Sequence, residues 1–293
     1  MTAIDTSTVP APAPGNRLVR FGRFARRNPT MLIGGAILIF FVIVAIIAPL
    51  IAGDPMLKLP TRRLQPPSPE LRFGTDQLGQ DVFARTVYGA RVSLIVGLSV
   101  ATISILIGLT IGLFAGYYRR FDAIVMRLMD GLMAIPAILL AIAMVSLNQG
   151  SIGIVIAAIS IPELPRVVRL VRSIVLSVKE LPFVEAARAC GAKTPRILFR
   201  HIMPSTIAPL IVQATYICAS AILVEASLSF LGAGVPPEVP SWGNMIASSR
   251  LYLARAPWTI FCPAIALALV VLAVNLLGDG LRDRLDPRLS RRL

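Results

Sequence analysis

Runs of about 20 consecutive apolar residues are the feature that most constrains this sequence. A helix rises 1.5 Å per residue, so about 20 apolar residues cross a hydrocarbon core of about 30 Å. The chain has 293 residues, of which 56% are hydrophobic and only 15% are charged. Soluble domains carry about 25% charged residues. The sequence therefore predicts an all-α polytopic membrane protein.

Six spans can be placed along the chain. The third carries Pro136, and the fourth carries Pro162, Pro165 and Glu163. Proline and glycine are commoner in membrane helices than in soluble ones, so these residues are compatible with spans. The first apolar run is longer than the core of a signal peptide, about 7–15 residues, and predicts a retained anchor. The predicted spans are 31–52, 92–115, 124–147, 151–171, 206–231 and 259–278.

The basic residues predict the orientation. With the N-terminus inside, 21 of the 29 Lys and Arg residues fall in cytoplasmic segments and 8 fall outside. This asymmetry favours both termini in the cytoplasm of a bacterial inner membrane. The net charge of +14 is thus explained by topology and by lipid, without a nucleic-acid partner.

The residues that most catalytic sites need are scarce. His201 is the single histidine, and the three cysteines have no metal-ligand spacing, which disfavours a metal centre or a catalytic triad. The sequence has no Gly-Lys pair, so it has no phosphate-binding loop of the Gly-x-x-x-x-Gly-Lys-Ser/Thr type. We expect no enzyme activity and no cofactor in this chain.

The polar, basic loop 178–204 predicts two short helices broken at a glycine. Pro182 opens the first helix, and Gly191 can close it because glycine tolerates the left-handed conformation. Thr194 is then predicted as an N-cap and Pro195 as the first helical position of the restart. An ordinary interfacial helix on lipid phosphate is the alternative interpretation.

Within this loop, a pattern resembles the Glu-Ala-Ala loop of ABC importer permeases. The pattern is Glu185-Ala186-Ala187, then Gly191, and Pro204 at the mouth of the next span. Three further segments resemble the second permease subunit of dipeptide, oligopeptide and nickel importers, the DppC/OppC type. They are Phe73–Asp81 with Tyr88–Leu94, Phe230–Gly232 with Pro240–Met245, and Gly278–Arg288.

The resemblance implies a type I ABC importer permease of the MetI-like fold. A homologous permease subunit would pair with the chain, one or two ABC ATPase subunits would bind ATP and magnesium, and an extracytoplasmic solute-binding protein would deliver solute. The cargo would be di- or oligopeptides, with nickel or another small solute as the alternative. The residues implied in ATPase coupling are Glu185, Ala186, Ala187, Gly191, Pro195, His201 and Pro204.

The implied organisation has four parts. Residues 1–30 form a disordered, basic cytoplasmic N-terminus, and 31–91 hold the first span with an outer amphipathic segment. Residues 92–281 form the permease core with five spans, and 282–293 form a cytoplasmic tail.

An ionisable residue inside a membrane span is expected to have an ion-pair partner or a functional role, because burying a lone charge there is costly. Arg127 and Asp130 lie three apart and are predicted to satisfy each other, with a place in the translocation path as the alternative. Glu225 and Glu163 are candidates for the translocation path, with a structural role as the alternative for each. Arg166, Arg169 and Arg172 share one helix face and are predicted to meet lipid phosphate, with ATPase contact as the alternative.

The last outer loop is a candidate for the outer gate or the side that meets the binding protein. Its candidate residues are Ser241, Trp242, Gly243 and Asn244, and a plain outer turn is the alternative. Glu163 and Glu225 also leave open a different class, an ion-coupled secondary transporter that binds protons or cations within the membrane.

Overall fold

The computed structural model describes residues 29–147 and 151–285, and these residues form helices joined by turns. An isolated bridge between Thr75 and Asp81 is the one β-type pairing recorded in this part of the chain. The predicted all-α fold class is therefore confirmed. The helices are α1 (Pro29–Ile51), α2 (Val82–Tyr117), α3 (Arg119–Ala134), α4 (Ala137–Ser146), α5 (Ile152–Val178), α6 (Pro182–Ala189), α7 (Thr194–Phe230), α8 (Trp242–Ser249) and α9 (Trp258–Leu285). Two 3-10 turns, Pro60–Arg62 and Arg250–Tyr252, lie in the connecting loops.

Four helices, α1, α2, α7 and α9, are long and apolar enough to cross a membrane. They coincide with the first, second, fifth and sixth predicted spans. Helix α2 begins at Val82, so the amphipathic stretch expected before the second span is the start of the same helix. Helix α7 likewise begins inside the predicted loop 178–204, at Thr194. Much of the predicted N-terminal segment and C-terminal tail lies outside the described residues.

The third predicted span is not one helix. Helices α3 and α4 meet at an angle of 85°, and the bend falls at Ile135 and Pro136. Ile135 is extended, with φ −94° and ψ 128°, because the ring of a following proline disfavours helical backbone. Counted as one bent span, this pair raises the number of apolar spans to five, so the predicted count of six is not reached.

The fourth predicted span corresponds to α5, which is long enough to cross but too polar to count as apolar. Helix α5 continues through Pro162 and Pro165 without a break. At 1.5 Å per residue its 27 residues extend about 40 Å.

Helix α5 is held in the centre of the molecule by close packing against α2. Gly108, Gly112 and Gly116 of α2 recur every four residues and face three valines of α5. A Cβ atom at Gly112 would lie 2.7 Å from Cβ of Val171, too close for two carbon atoms. Small residues at this spacing let two membrane helices approach backbone to backbone. The valines are Val167, Val171 and Val175.

Candidate functional site

Helix α6 is the short helix that the Glu-Ala-Ala pattern predicted. It begins at Pro182, whose missing N–H costs nothing in the first turn, and ends at Ala189. Gly191 follows with φ +79°, and its N–H donates to the carbonyl of Arg188 at 3.0 Å. The N–H of Ala192 donates to the carbonyl of Ala187 at 3.0 Å. These two bonds form a Schellman motif, which fixes the exit of the chain from α6.

The inner face of the loop is anchored in the core. Val184 of α6 is fully buried, as are Ile197, Leu198 and Ile202 at the start of α7, and all four belong to one apolar cluster with α2 and α5. These contacts fix α6 and the start of α7 to the same packed helices.

The outer face of α6 is open to solvent. Glu185, Ala186, Gly191 and Cys190 are exposed, and Phe183 is nearly half exposed. An exposed apolar side chain beside small alanines offers a surface that another protein can approach closely.

The restart after Gly191 differs from the prediction by one residue. Lys193 is the N-cap, Thr194 is the first helical residue and Pro195 is the second. The shift is tolerated because the first four N–H groups of a helix lack partners within it, so proline fits at either position. Residues Ile197–Ile202 form a π-helical turn that includes His201, and Pro204 lies exposed in the turn that follows.

The predicted pair between Arg127 and Asp130 is wrong. Asp130 instead accepts from Nη2 of Arg169 on α5 at 2.5 Å. Arg127 is exposed, and no ion pair of its side chain is recorded within residues 29–147 and 151–285. The long guanidinium of the neighbouring helix reaches the carboxylate, whereas the side chain three residues away on α3 does not.

The other arginines of α5 also bind carboxylates, whereas lipid phosphate was predicted for them. Arg166 contacts Glu163 at 3.0 Å, and its guanidinium lies 5.3 Å from the centre of the Tyr216 ring. Arg172 contacts both carboxylate oxygens of Asp122. With Asp130 and Arg169, these contacts make a row of ion pairs along α5 and between α5 and α3.

The two glutamates of the predicted spans lie in different surroundings. Glu163 is partly buried and also accepts from the Ser220 hydroxyl at 3.4 Å. Glu225 is fully buried within the subunit, where Ser229 donates to it at 2.9 Å and the hydroxyls of Ser241 and Ser93 also face it. In this conformation Glu225 has no surface that a solute could reach.

The four candidate residues of the last outer loop hold that loop in place. Ser241 caps α8 by accepting from the N–H of Asn244 at 3.2 Å. Trp242 is fully buried and donates to the carbonyl of Thr86 at 2.9 Å. Gly243 packs on α7, where a Cβ atom would lie 2.6 Å from the carbonyl oxygen of Ala226. The amide of Asn244 donates to the carbonyls of Val235, Pro236 and Val239.

Sequence reasoning missed a buried ion pair between the start of α2 and the loop that joins it to α1. Arg85 at the start of α2 contacts Asp76 at 2.7 Å, and both side chains are about 95% buried. Gln80 accepts from the same guanidinium at 2.6 Å, and Asp76 also accepts from two backbone N–H groups of its own turn. The Asp76 turn, with an arginine nine residues later, was the available signal.

No metal site is evident in the described ranges, where no three His, Cys, Asp or Glu side chains lie close enough to share an ion. The thiols of Cys190, Cys218 and Cys262 are all free.

Comparison with known proteins identifies the family. Residues 108–291 match the family model described as binding-protein-dependent transport system inner membrane component. The chain belongs to this family of permeases. Residues 19–67 match a second model, the N-terminal TM domain of oligopeptide transport permease C.

Several relatives extend along nearly the whole permease. A probable peptide ABC transporter permease of Sinorhizobium fredii is 62% identical over 270 residues, covering 92% of this chain and 93% of the relative. The di/tripeptide transport system permease DppC of Pseudomonas aeruginosa is 44% identical over 297 residues, covering 98% and 96%.

A solved structure supports the MetI-like fold of the permease. In the methionine ABC transporter MetNI, captured in an inward-facing conformation, one chain aligns with a TM-score of 0.54 and 20% identity. The alignment covers 70% of this chain and 97% of that chain.

Proposed function

We propose that this permease forms half of the translocation path of an ATP-driven importer of di- or oligopeptides. Support comes from the relatives that cover more than 90% of the chain and are named for peptide or di/tripeptide transport. A glutathione permease of Pectobacterium atrosepticum, 44% identical over 76% of the chain, keeps small modified peptides among the candidate solutes.

The observation that carries the mechanism is the construction of α6. Its outer face is exposed, whereas Val184 anchors its inner face to the core that contains α2 and α5. We assign the exposed face, with Glu185, Ala186, Ala187 and Gly191, to contact with an ATPase subunit. Closure of two ATPases would displace α6 as a rigid body, and the packed helices would move with it.

The proposed assembly contains this chain, a homologous permease, two ATPase sites on one or two kinds of subunit, and a solute-binding protein on the outer side. Both termini and α6 face the cytoplasm. ATP and magnesium bind to the ATPase subunits, and this chain positions the solute and its path.

The test is purification of the chain from its native membrane, followed by reconstitution. We expect a second permease and one or two phosphate-loop ATPases to co-purify. Proteoliposomes with the binding protein should take up radiolabelled Ala-Ala only when ATP is supplied. Uptake that persists without ATP and collapses with an uncoupler would instead identify an ion-coupled secondary transporter.

A further inference from the structure

The exposed surface of α5 differs from that of the other long helices. Helices α1, α2, α7 and α9 expose large apolar side chains, including Ile46, Leu98, Ile207 and Ile265. Helix α5, which lies entirely within the described residues, exposes no large apolar side chain. Its exposed positions are Gly153, Ala157, Arg166, Arg169, Ser173 and Ser177, called here the α5 strip.

Such a strip is unsuited to lipid. A membrane helix that meets lipid presents apolar side chains to it, because ionisable groups are costly in the hydrocarbon region. The opposite face of α5 is apolar and buried. Its residues Val167, Val171 and Val175 pack against α2 and hold the helix in the core. The α5 strip therefore faces water or another protein.

The charges of the strip lie at the depth of the membrane. Counted from the start of α5 at 1.5 Å per residue, Arg166 lies about 21 Å and Arg169 about 26 Å along the helix. A hydrocarbon core is about 30 Å thick, so both arginines fall in its inner half if α5 crosses it from its first residue. Tyr216 of α7 lies beside Arg166, more than half exposed.

The ion pairs of the strip are incomplete in a way that favours water over a protein partner. Arg166 and Arg169 each contact their carboxylate through one nitrogen, and their side chains are 50% and 43% exposed. A guanidinium has five N–H donors, so most of these donors point to the surface. Burial of such donors against a second permease would be costly unless each found an acceptor there, whereas water supplies acceptors at once.

We propose that the α5 strip lines the solute path and binds solutes that carry both a carboxylate and an ammonium group. The inference rests on the proposed function and names the chemistry of that path. A peptide carboxylate would bind Arg166 or Arg169, and its ammonium would bind Glu163 or Asp130. Because each new ion pair replaces an existing one, the solute passes without leaving an unpaired charge, and it is held weakly enough to leave.

The first test measures whether the strip is wet. In an importer with Cys190, Cys218 and Cys262 replaced by serine, and with ATP-driven Ala-Ala uptake verified, single cysteines replace Ala157 and Leu272. Ala157 is an exposed residue of the strip about 8 Å along α5, and Leu272 is an exposed apolar residue of α9. We expect a charged, membrane-impermeant methanethiosulfonate to modify Ala157→Cys at least about 10-fold faster than Leu272→Cys. Equal, slow rates in the assembled importer would overturn the proposal.

The second test measures charge recognition. Uptake of Ala-Ala is compared with uptake of its C-terminal amide at equal occupancy of the binding protein, which is measured separately. We expect unmodified importer to prefer the free dipeptide several-fold, and Arg166→Gln with Arg169→Gln to bring the ratio close to one. An unchanged ratio in the double variant would contradict the proposal, while Arg91→Gln, in the outer third of α2, serves as the control that keeps the preference.

The two proposals fail in different ways. If the unmodified importer takes up peptide with ATP but Ala157→Cys stays unreactive, the path assignment is wrong and the proposed function stands. If the unmodified importer shows no ATP-dependent peptide uptake, the proposed function is wrong and the solute chemistry assigned to the strip falls with it.

Discussion

Arg172 of α5 and Asp122 of α3 are joined by two nitrogen–oxygen contacts. Nη2 lies 2.6 Å from Oδ2, and Nε contacts Oδ1. The pair lies near the point where α5 ends and the chain turns into the loop 178–204. Helix α3 is thus tied by an ion pair to the helix that leads into α6.

Loss of this pair should weaken the importer. Arg172→Ala removes a two-point ion pair and leaves the partly buried Asp122 carboxylate without its partner, which we expect to cost about 1–3 kcal/mol of stability. Thermal denaturation of the purified importer measures the loss, and peptide uptake should fall with it. Arg172→Asp combined with Asp122→Arg should recover part of both.

A matched control for that pair lies in the loop between α1 and α2. Arg62 and Glu70 are 3.6 Å apart and well exposed, so Arg62→Ala should change stability by less than about 1 kcal/mol. If Arg172→Ala reduced stability as little as Arg62→Ala, the ion pair between α3 and α5 would not contribute to holding the two helices together.

Replacement of Gly191 should uncouple transport without blocking membrane insertion. Its φ of +79° costs a residue with a side chain about 1–2 kcal/mol, although a Cβ atom there would have no neighbour within 4 Å. We expect Gly191→Val to abolish ATP-driven uptake and Gly191→Asn, which tolerates the left-handed region, to retain part of it. Gly131→Ala, at an open position on α3, is the control. Normal uptake by Gly191→Val would contradict a coupling role.

The contact between α2 and α5 should be intolerant of a single added methyl group. Gly112→Ala places Cβ 2.7 Å from Cβ of Val171 and 2.9 Å from the carbonyl oxygen of Val168, and overpacking of this kind costs about 1–3 kcal/mol. The yield of folded importer and its denaturation temperature should both fall. Gly35→Ala on α1 meets its nearest neighbour at 3.9 Å and should be neutral; similar behaviour of the two variants would disprove the close packing.

The stability of the protein should depend strongly on keeping both charges of the buried pair Asp76 and Arg85. Arg85→Met leaves the Asp76 carboxylate buried and unpaired, at a cost of about 3–5 kcal/mol. Adding Asp76→Asn should recover part of that loss, because the amide oxygen still accepts from the N–H groups of Leu78 and Gln80. Denaturation curves of both variants test this order, and a double variant less stable than Arg85→Met would reverse it.

The sequence predicted features that depend on local chemistry. Apolar run length located α1, α2, α7 and α9, and Pro182 with Gly191 bounded α6, since each signal acts within a few residues. Proline was a poorer guide. Pro136 breaks its span by 85°, whereas Pro162 and Pro165 stay inside α5, and the surrounding helices decide between these outcomes.

Partners that are distant in sequence could not be predicted. Asp130 and Arg169 are 39 residues apart, and Asp122 and Arg172 are 50 apart. Local spacing favoured Arg127 as the partner of Asp130. The true partner, Arg169, comes into reach only when α3 packs on α5, and the sequence does not show that packing. The same packing pairs Arg169 and Arg172, which were predicted to meet lipid phosphate, with carboxylates of α3.

The central claim is that an ATPase subunit binds the exposed face of α6 and moves it. The most direct test compares Glu185→Lys with the control variant Glu180→Lys. Both glutamates are exposed, and Glu180 precedes α6 while Glu185 lies within its first turn. The measurement is the amount of ATPase that co-purifies with each variant, together with ATP-driven Ala-Ala uptake. We expect Glu185→Lys to lose both and Glu180→Lys to keep both. Full ATPase recovery and normal uptake with Glu185→Lys would contradict the claim.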